Sequence, residues 1–395
     1  STPLYSSAAS DVYKRQVMRD GKPIEILHIV GTRPVGGIGA LLKNINTSID
    51  LNKFHFTYVF SADSNIGDFD NYVRKLGSDI VVFPSYHLKY LFLYLKVIFC
   101  FYKRNAKKYD IIHVHSANTG VLDLLFAKIY GIRIRILHSH STKYSSKKIR
   151  SIRNYFLQFP TIYLANTYFA CGYKAAEFLF GKKRLEKVYI IHNAIFSKKF
   201  IYNATVRERV RVELKIENDC LLLGHIGNFT KEKNHGFLID ILEELLNIND
   251  NVKLLLVGDG QLRSEIEEKV KLKRLQKYVC FLGRRTDISE LLQAMDFLIF
   301  PSFFEGLPVT LIEAQASGLR CVVSDRITLE TKITNNISYL NLNRDPSTWA
   351  EVVWKLFEDK TFIRKDTSKE ICESGYDIHL ESEYLERIYL NLLHK

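Results

Sequence analysis

Two glutamates eight residues apart, Glu305 and Glu313, lie in the stretch LIFPSFFEGLPVTLIEAQASG at 298–318. The short apolar run from Phe297 to Phe300 reads as a buried strand. PSFFEGLP reads as the loop at its C-terminal end. Pro308 suits the first turn of a helix, where a missing N–H costs nothing. One acid therefore sits in a loop and the other about two turns into a helix. Open α/β sheets bind ligands outside the C-terminal ends of their strands, and the free N–H groups of a helix start attract phosphate. That arrangement suits a nucleotide-sugar site. The same spacing also fits an ordinary loop acid and a solvated helix acid, and the pair alone leaves both readings open.

Other residues could serve the same chemistry. One Gly-rich loop, Gly36-Gly37-Ile38-Gly39, follows the first strand, and a second, Gly227-Asn228-Phe229-Thr230-Lys231-Glu232-Lys233-Asn234, follows a later one. Backbone amides at such loops can hold a diphosphate, and a lysine adds a point charge that substitutes for a metal. Neither loop fits the dinucleotide fingerprint, and Gly258-Asp259-Gly260 reads as a turn. Asp68-Phe69-Asp70 spells a D-x-D but falls in a helical stretch with no strand leading into it, so it reads as coincidence. His113, His115, His138 and His140 alternate near two strand ends. Zinc is conceivable there, but no cysteine or acid has supporting spacing, and packing at a strand end is the plainer reading. His138 and His140 point to the same face of their strand. No metal or cofactor is expected.

The elements that must position these residues alternate. Strand-length apolar runs at 24–30, 54–60, 79–83, 109–116, 132–142, 297–300 and 319–325, with strands opening the stretches 167–181, 221–235, 252–260 and 279–288 and the run 188–195 closing the first unit, are separated by helical patterns. Both halves read as doubly wound α/β units, each built on a parallel sheet. The polar, charged segment 196–219 reads as the connection between them. Six scattered cysteines with no C-x-x-C pair read as reduced, buried thiols of a cytosolic protein. Charge is uneven: residues 18–195 hold 26 Lys+Arg against 11 Asp+Glu, within a total of +13. No zinc finger or RNA motif accompanies it, which favours an anionic membrane over nucleic acid. The stretch HLKYLFLYLKVIFCFYKRNAKK (87–108) is too short in its apolar part to span a bilayer. It reads either as a helix lying on one or as a core helix with a basic end. KYSSKKIRSIRNY (143–155) offers more positive charge. DVYKRQ, at 11–16, is what GAT GTG TAT AAG AGA CAG encodes, a transposase end used in sequencing libraries. Residues 1–17 are therefore read as translated adaptor, with Met18 the natural start.

Taken together, GGIGALLKN, LHSHST, HIGNFTKEKNHGFLI, LLLVGDGQL, FLGRRTDISELLQAMDFLIFPSFFEGLPVTLIEAQASGLRCVVSD and GYDIHLESEYLERIY resemble glycosyltransferase family 4, in its bacterial capsular and exopolysaccharide branch. The resemblance implies a GT-B fold. Its parts would be an N-terminal acceptor-side domain (18–195), a C-terminal donor domain (196–375) facing it across a cleft, and a crossover helix (376–395). It further implies retaining, metal-independent hexosyl transfer from a nucleotide sugar, with UDP as carrier, to a lipid-linked or polysaccharide acceptor. The enzyme would sit peripherally on the inner face of the plasma membrane. By the same resemblance Glu305 holds hydroxyls of the donor sugar and Glu313 the ribose. Lys233 neutralises the departing diphosphate, and Gly36 and Gly37 supply amides over it. His140 lies near the reacting carbon, with His138 as competitor. Gly306 and Leu307 face donor sugar or phosphate, and Arg285 lies in the loop that meets the base. Asn228 departs from the pattern, standing where many members carry arginine, and Lys231 or an arginine elsewhere would compensate. Asn193-Ala194-Ile195-Phe196 departs from the commoner N-G-[IV]-[DE].

Two other readings compete. VGTRP at 30–34 echoes the loop of GT-B UDP-sugar 2-epimerases, although Val35 and two glycines follow in place of glutamate. A membrane-surface binding protein without turnover would also use the basic first half.

Overall fold

The computed structural model describes residues 21–34, 36–62, 68–85, 88–142, 154 and 158–394. The adaptor-like residues 1–17 and nearly all of the basic stretch 143–155 lie outside these described residues. The chain forms two compact units. Unit 1 takes residues up to Ala194 and again from Ile378, and unit 2 is Ile195–Asp377.

Unit 1 is built on seven parallel strands. They are β1 (Ile24–Gly31), β2 (Phe54–Ser61), β3 (Asp79–Phe83), β4 (Ile111–Val114), β5 (Ile134–Ser139), β6 (Thr167–Ala170) and β7 (Val188–Ile190), in the order β3-β2-β1-β4-β5-β6-β7. The central strands are apolar along nearly their whole length because helices cover both sheet faces. Strand order reverses between β1 and β4, so the loops after these two strands flank the unit's switch point. The C-terminal helix Ile378–Leu393 belongs to this unit. Its Glu386 accepts from the Asp50 N–H at 2.9 Å, Glu381 accepts from the His192 N–H at 2.7 Å, and the Tyr389 hydroxyl lies 2.8 Å from His113 Nδ1.

Unit 2 has six parallel strands: β8 (Leu221–Ile226), β9 (Val252–Val257), β10 (Val279–Gly283), β11 (Phe297–Phe300), β12 (Arg320–Ser324) and β13 (Ile337–Leu340). Their order is β10-β9-β8-β11-β12-β13, with the reversal between β8 and β11. A Cβ at Gly224 in β8 would fall 2.1 Å from the Met295 sulfur, so the buried Met295 side chain would have to shift to admit one.

The segment 196–219 is not the plain connection its polarity suggests. Ala204–Glu213 is a helix capped by Asn203, whose side chain accepts from the Val206 N–H at 3.1 Å. Its arginines hold the sheet: Arg207 and buried Arg211 reach the two carboxylate oxygens of Asp296 at 2.7 and 3.2 Å. The second of those oxygens also accepts from the Leu222 N–H at 2.7 Å. Charge that reads as solvated linker is an internal network. All six cysteines are free, with Cys171, Cys220 and Cys321 buried and the other three partly so. No helix among the described residues is long and apolar enough to cross a membrane.

Candidate active site

In unit 2, the strand order brings two distant loops together. The loop after β8 carries Lys233 and the loop after β11 carries Glu305. Their backbones are cross-linked: the Phe303 N–H donates to the Glu232 carbonyl at 2.8 Å, and the Asn234 amide donates to the Pro301 carbonyl at 3.2 Å. Asn234 itself adopts a left-handed turn (φ 56) between the 3₁₀ turn Lys231–Lys233 and the helix His235–Leu246. Lys233 Nζ consequently sits 2.8 Å from Glu305 Oε1, both side chains largely buried. The ammonium also lies 4.6 Å above the Phe300 ring.

Glycines make room for this lysine. A Cβ at Gly227 would fall 3.0 Å from Lys233 Cε. The Gly258-Asp259-Gly260 turn buttresses the loop from the other side. At Gly258 (φ +137) a Cβ would meet the Gly227 carbonyl at 2.1 Å, and at Gly260 one would meet the Phe229 carbonyl at 2.7 Å. The Phe229 N–H donates to the Asp259 carbonyl at 3.1 Å.

Glu313 is the fifth residue of the helix Val309–Ala316, nearer its start than the two turns expected. It is half-buried, and its carboxyl has no ion-pair or hydrogen-bond partner among the described residues. Burial alone pushes it up to about 7. The Gly306 and Leu307 N–H groups just before the helix are also without an acceptor among the described residues. The Leu307 side chain packs on the core. Asn228 and Lys231 are exposed on the lysine loop. Arg285 is exposed too, its guanidinium gripping both oxygens of Asp287 at 2.7 and 2.5 Å and holding that carboxyl below its usual range.

Unit 1 contains the remaining predicted residues. Gly36 (φ 66, ψ −142) caps the helix Gly37–Ser48 in a conformation that L side chains rarely adopt. No side chain caps that helix and its first turn holds no acid, so its first N–H groups are available to an anion. Gly39 is needed for close approach, since a Cβ there would lie 2.8 Å from the Pro34 carbonyl. His140 follows β5, and its ring centroid lies 3.9 Å from that of His138, the two planes tilted by 30°. His138 is buried and its Nδ1 pairs with His113 Nε2 at 3.1 Å, while His140 remains partly exposed at the strand end. Asp70 of the D-x-D is buried, and both its oxygens accept from Arg33 Nε at 2.9 and 2.8 Å. Two histidine sets, His28/His113/His115 and His115/His138/His140, bring ring nitrogens within 4.8 Å of one another, near enough to take a metal ion.

Sequence reasoning missed His28, a single histidine inside an apolar strand, which looks like core. Only the sheet register, His28 opposite His113, brings His28 to the other histidines.

The two doubly wound units and the paired loops define a class, and comparison with known proteins bears on the family. The model described as Glycosyl transferases group 1 matches residues 221–359, which include Lys233, Glu305 and Glu313. EpsF of Bacillus subtilis (strain 168), named as a glycosyltransferase, is 30% identical over 370 residues, 92% of this chain and 96% of that protein. The chain belongs to the group 1 glycosyl transferases and is a glycosyltransferase of GT-B fold. The UDP-Gal:alpha-D-GlcNAc-diphosphoundecaprenol alpha-1,3-galactosyltransferase of Escherichia coli is 24% identical over 315 residues, 76% of this chain and 80% of that enzyme. Among solved structures, Anabaena HepE in complex with UDP shares the fold with a TM-score of 0.76 at 18% identity, over 93% of this chain and 99% of HepE.

Proposed function

We propose that the enzyme transfers a hexosyl group from a UDP-sugar to a lipid-linked acceptor in surface-polysaccharide synthesis, with retention and without a metal. The observation that carries this reading is the Lys233–Glu305 pair, 2.8 Å apart at the switch point of unit 2. In the proposed reaction the bond between the anomeric carbon and the diphosphate oxygen breaks, and negative charge builds on the diphosphate. Lys233 and the free amides at Gly306 and Leu307 stabilise that charge where a metal otherwise would. Glu305 then turns to hydroxyls of the sugar, and Glu313 accepts from the ribose hydroxyls. The acceptor hydroxyl attacks from the face the diphosphate leaves, and its proton passes to the departing phosphate. By the family resemblance, Gly36 and Gly37 serve the diphosphate, His140 the transferred sugar and Arg285 the base. The UDP carrier is supported by the name of the E. coli relative and by HepE being in complex with UDP, and the lipid-diphosphate acceptor by the name of the E. coli relative.

Contact with an anionic membrane surface forms part of this reading. On the helix Leu91–Asn105, Tyr94, Ile98 and Tyr102 are buried. Phe92 (88% exposed), Leu93 (51%) and Phe99 (41%) face outward with Lys96, Lys103 and Arg104.

The test is transfer from UDP-sugars to a prenyl-diphosphate saccharide, with the product's anomeric configuration read by NMR and EDTA present. Glu305→Ala should lose turnover while keeping part of its donor affinity. Glu313→Ala should mainly weaken UDP binding. Equal loss of UDP affinity in both variants, an inverted product, or abolition by EDTA would each overturn a stated part of the reading.

A further inference from the structure

Five imidazoles face one another inside unit 1. His28 comes from β1, His113 from β4 and His138 from β5, while His115 and His140 follow β4 and β5. The first four are at most 6% exposed. Their nitrogens pair in two separate chains. One runs from the Tyr389 hydroxyl to His113 Nδ1 (2.8 Å) and from His113 Nε2 to His138 Nδ1 (3.1 Å). The other runs from His28 Nδ1 to His115 Nε2 (2.9 Å) and from His115 Nδ1 to His140 Nε2 (2.9 Å). The second chain ends on two buried nitrogens without a partner among the described residues: His28 Nε2 in the core and His140 Nδ1 at the end of β5.

Burial keeps all five rings neutral, holding His28 and His140 down to about 3 and the others well below the usual imidazole range. A neutral imidazole has one N–H and one bare nitrogen. In a chain bridged by single protons, each ring's tautomer therefore dictates the next. Only two proton orders connect His28, His115 and His140 throughout. Either every N–H points toward His140, leaving Nδ1–H free there, or every one points back, leaving an N–H stranded on His28 Nε2. Either order leaves one buried N–H without an acceptor among the described residues. The ends differ in access: His28 is 2% exposed, whereas His140 is partly exposed at the strand end, so a ligand oxygen can meet the N–H only on His140. The rings around His28 are aromatic, with Phe56 edge-on at 4.8 Å and Tyr58 stacked at 5.1 Å.

We propose that His28 and His115 are positioning residues that fix His140 as its Nδ1–H tautomer, so that it donates to an oxygen of the sugar being transferred. This rests on the reading of His140 as the residue that meets that sugar. The three rings act as one unit, and a change at His28 reaches His140 through two hydrogen bonds.

The experiment is ¹⁵N NMR of the full chain labelled at histidine, with His140→Gln used for assignment, alongside kcat and KM for the donor. Nitrogen shifts separate protonated from bare ring positions. Wild type should show His140 protonated at Nδ1. His28→Phe and His115→Phe should each move it toward a mixture and lower kcat by about tenfold or more, with donor KM little changed. His28→Asn places an amide N–H where Nδ1–H stood, and it should restore both tautomer and kcat. That variant keeps the test open should His115→Phe fail to fold. A wild-type His140 protonated at Nε2, or a tautomer unmoved in His28→Phe, overturns the coupling. A stoichiometric transition metal in the purified protein, with the ¹⁵N signature of ligation, overturns it in favour of a metal centre on the same rings. Full turnover in His140→Phe with the coupling intact overturns instead the reading of His140, and leaves the chain a structural one.

Discussion

Glu313 has the clearest pH signature in unit 2. Its folded carboxyl is pushed up to about 7 by burial, against an ordinary value near 4.3. A raised acid binds its proton more tightly folded than unfolded, so its own contribution to stability is fully present below about pH 4 and is lost as pH climbs through 7. Above that the ionised carboxylate costs on the order of 1–3 kcal/mol until a ligand meets it. Glu313→Gln should therefore raise the melting temperature at pH 8, change it little at pH 4, and weaken UDP binding at both. A lower melting temperature at pH 8 would show that the carboxylate is stabilised by contacts rather than strained by burial. At this scale the sequence was partly legible. Glu305 stood out because Gly306 and Pro308 follow it in a turn, and Lys233 because it lies in a Gly-initiated loop. Their 2.8 Å pairing was not legible, because only the strand order β8-β11 makes neighbours of loops so far apart in sequence.

Elements hold the lysine loop by backbone contact more than by side chains. The turn after β9 lies so close to the loop after β8 that a Cβ at Gly258 would stand 2.1 Å from the Gly227 carbonyl, at a backbone φ of +137. Gly258→Ala has to displace one of the two turns and should cost about 2–4 kcal/mol. Gly36→Ala meets no atom within 4 Å and carries only the strain of its φ of +66, about 1–2 kcal/mol. Both tryptophans, Trp349 and Trp354, lie in unit 2, so urea unfolding followed by their fluorescence reports that unit directly. The expected result is a lower midpoint for Gly258→Ala and an unchanged one for Gly36→Ala, and equal midpoints for all three proteins would refute the buttress. Strands and most helices were legible from period and length, since buried parallel strands are almost uniformly apolar. The helix Ala204–Glu213 was not. Its arginines make it look solvated, yet Arg211 is buried against Asp296 and the Cys220 carbonyl, at 3.2 and 2.6 Å. Sequence polarity records residue type and not the partner that neutralises it.

At the scale of the whole molecule, the chain passes between its units twice, once after Ala194 and once after Asp377. The basic excess of residues 18–195 consequently belongs to unit 1, the unit that carries the helix Leu91–Asn105. Phe92, Lys96, Phe99 and Lys103 follow one another along the exposed side of that helix, with Lys103 Nζ 5.9 Å from the Phe99 ring. Apolar rings between lysines suit an interface of acyl chains and anionic headgroups, where a buried aromatic contributes about 1.5–3 kcal/mol and each nearby lysine about 1 kcal/mol. The protein should therefore bind vesicles containing phosphatidylglycerol and bind phosphatidylcholine vesicles far less. Raising the salt from about 0.1 to about 0.5 M should weaken that binding, because the Debye length falls below about 5 Å. Phe92→Ser with Leu93→Ser removes exposed apolar groups that no core contact needs, so folding should be unchanged while partitioning falls by about ten- to a hundredfold. Transfer to a water-soluble acceptor should survive in that double variant, and transfer to an acceptor embedded in vesicles should fall with the partitioning. Undiminished vesicle binding in the double variant would place the contact on another face of unit 1. Equal binding to neutral and anionic vesicles would remove the electrostatic part and leave the basic excess without a lipid partner.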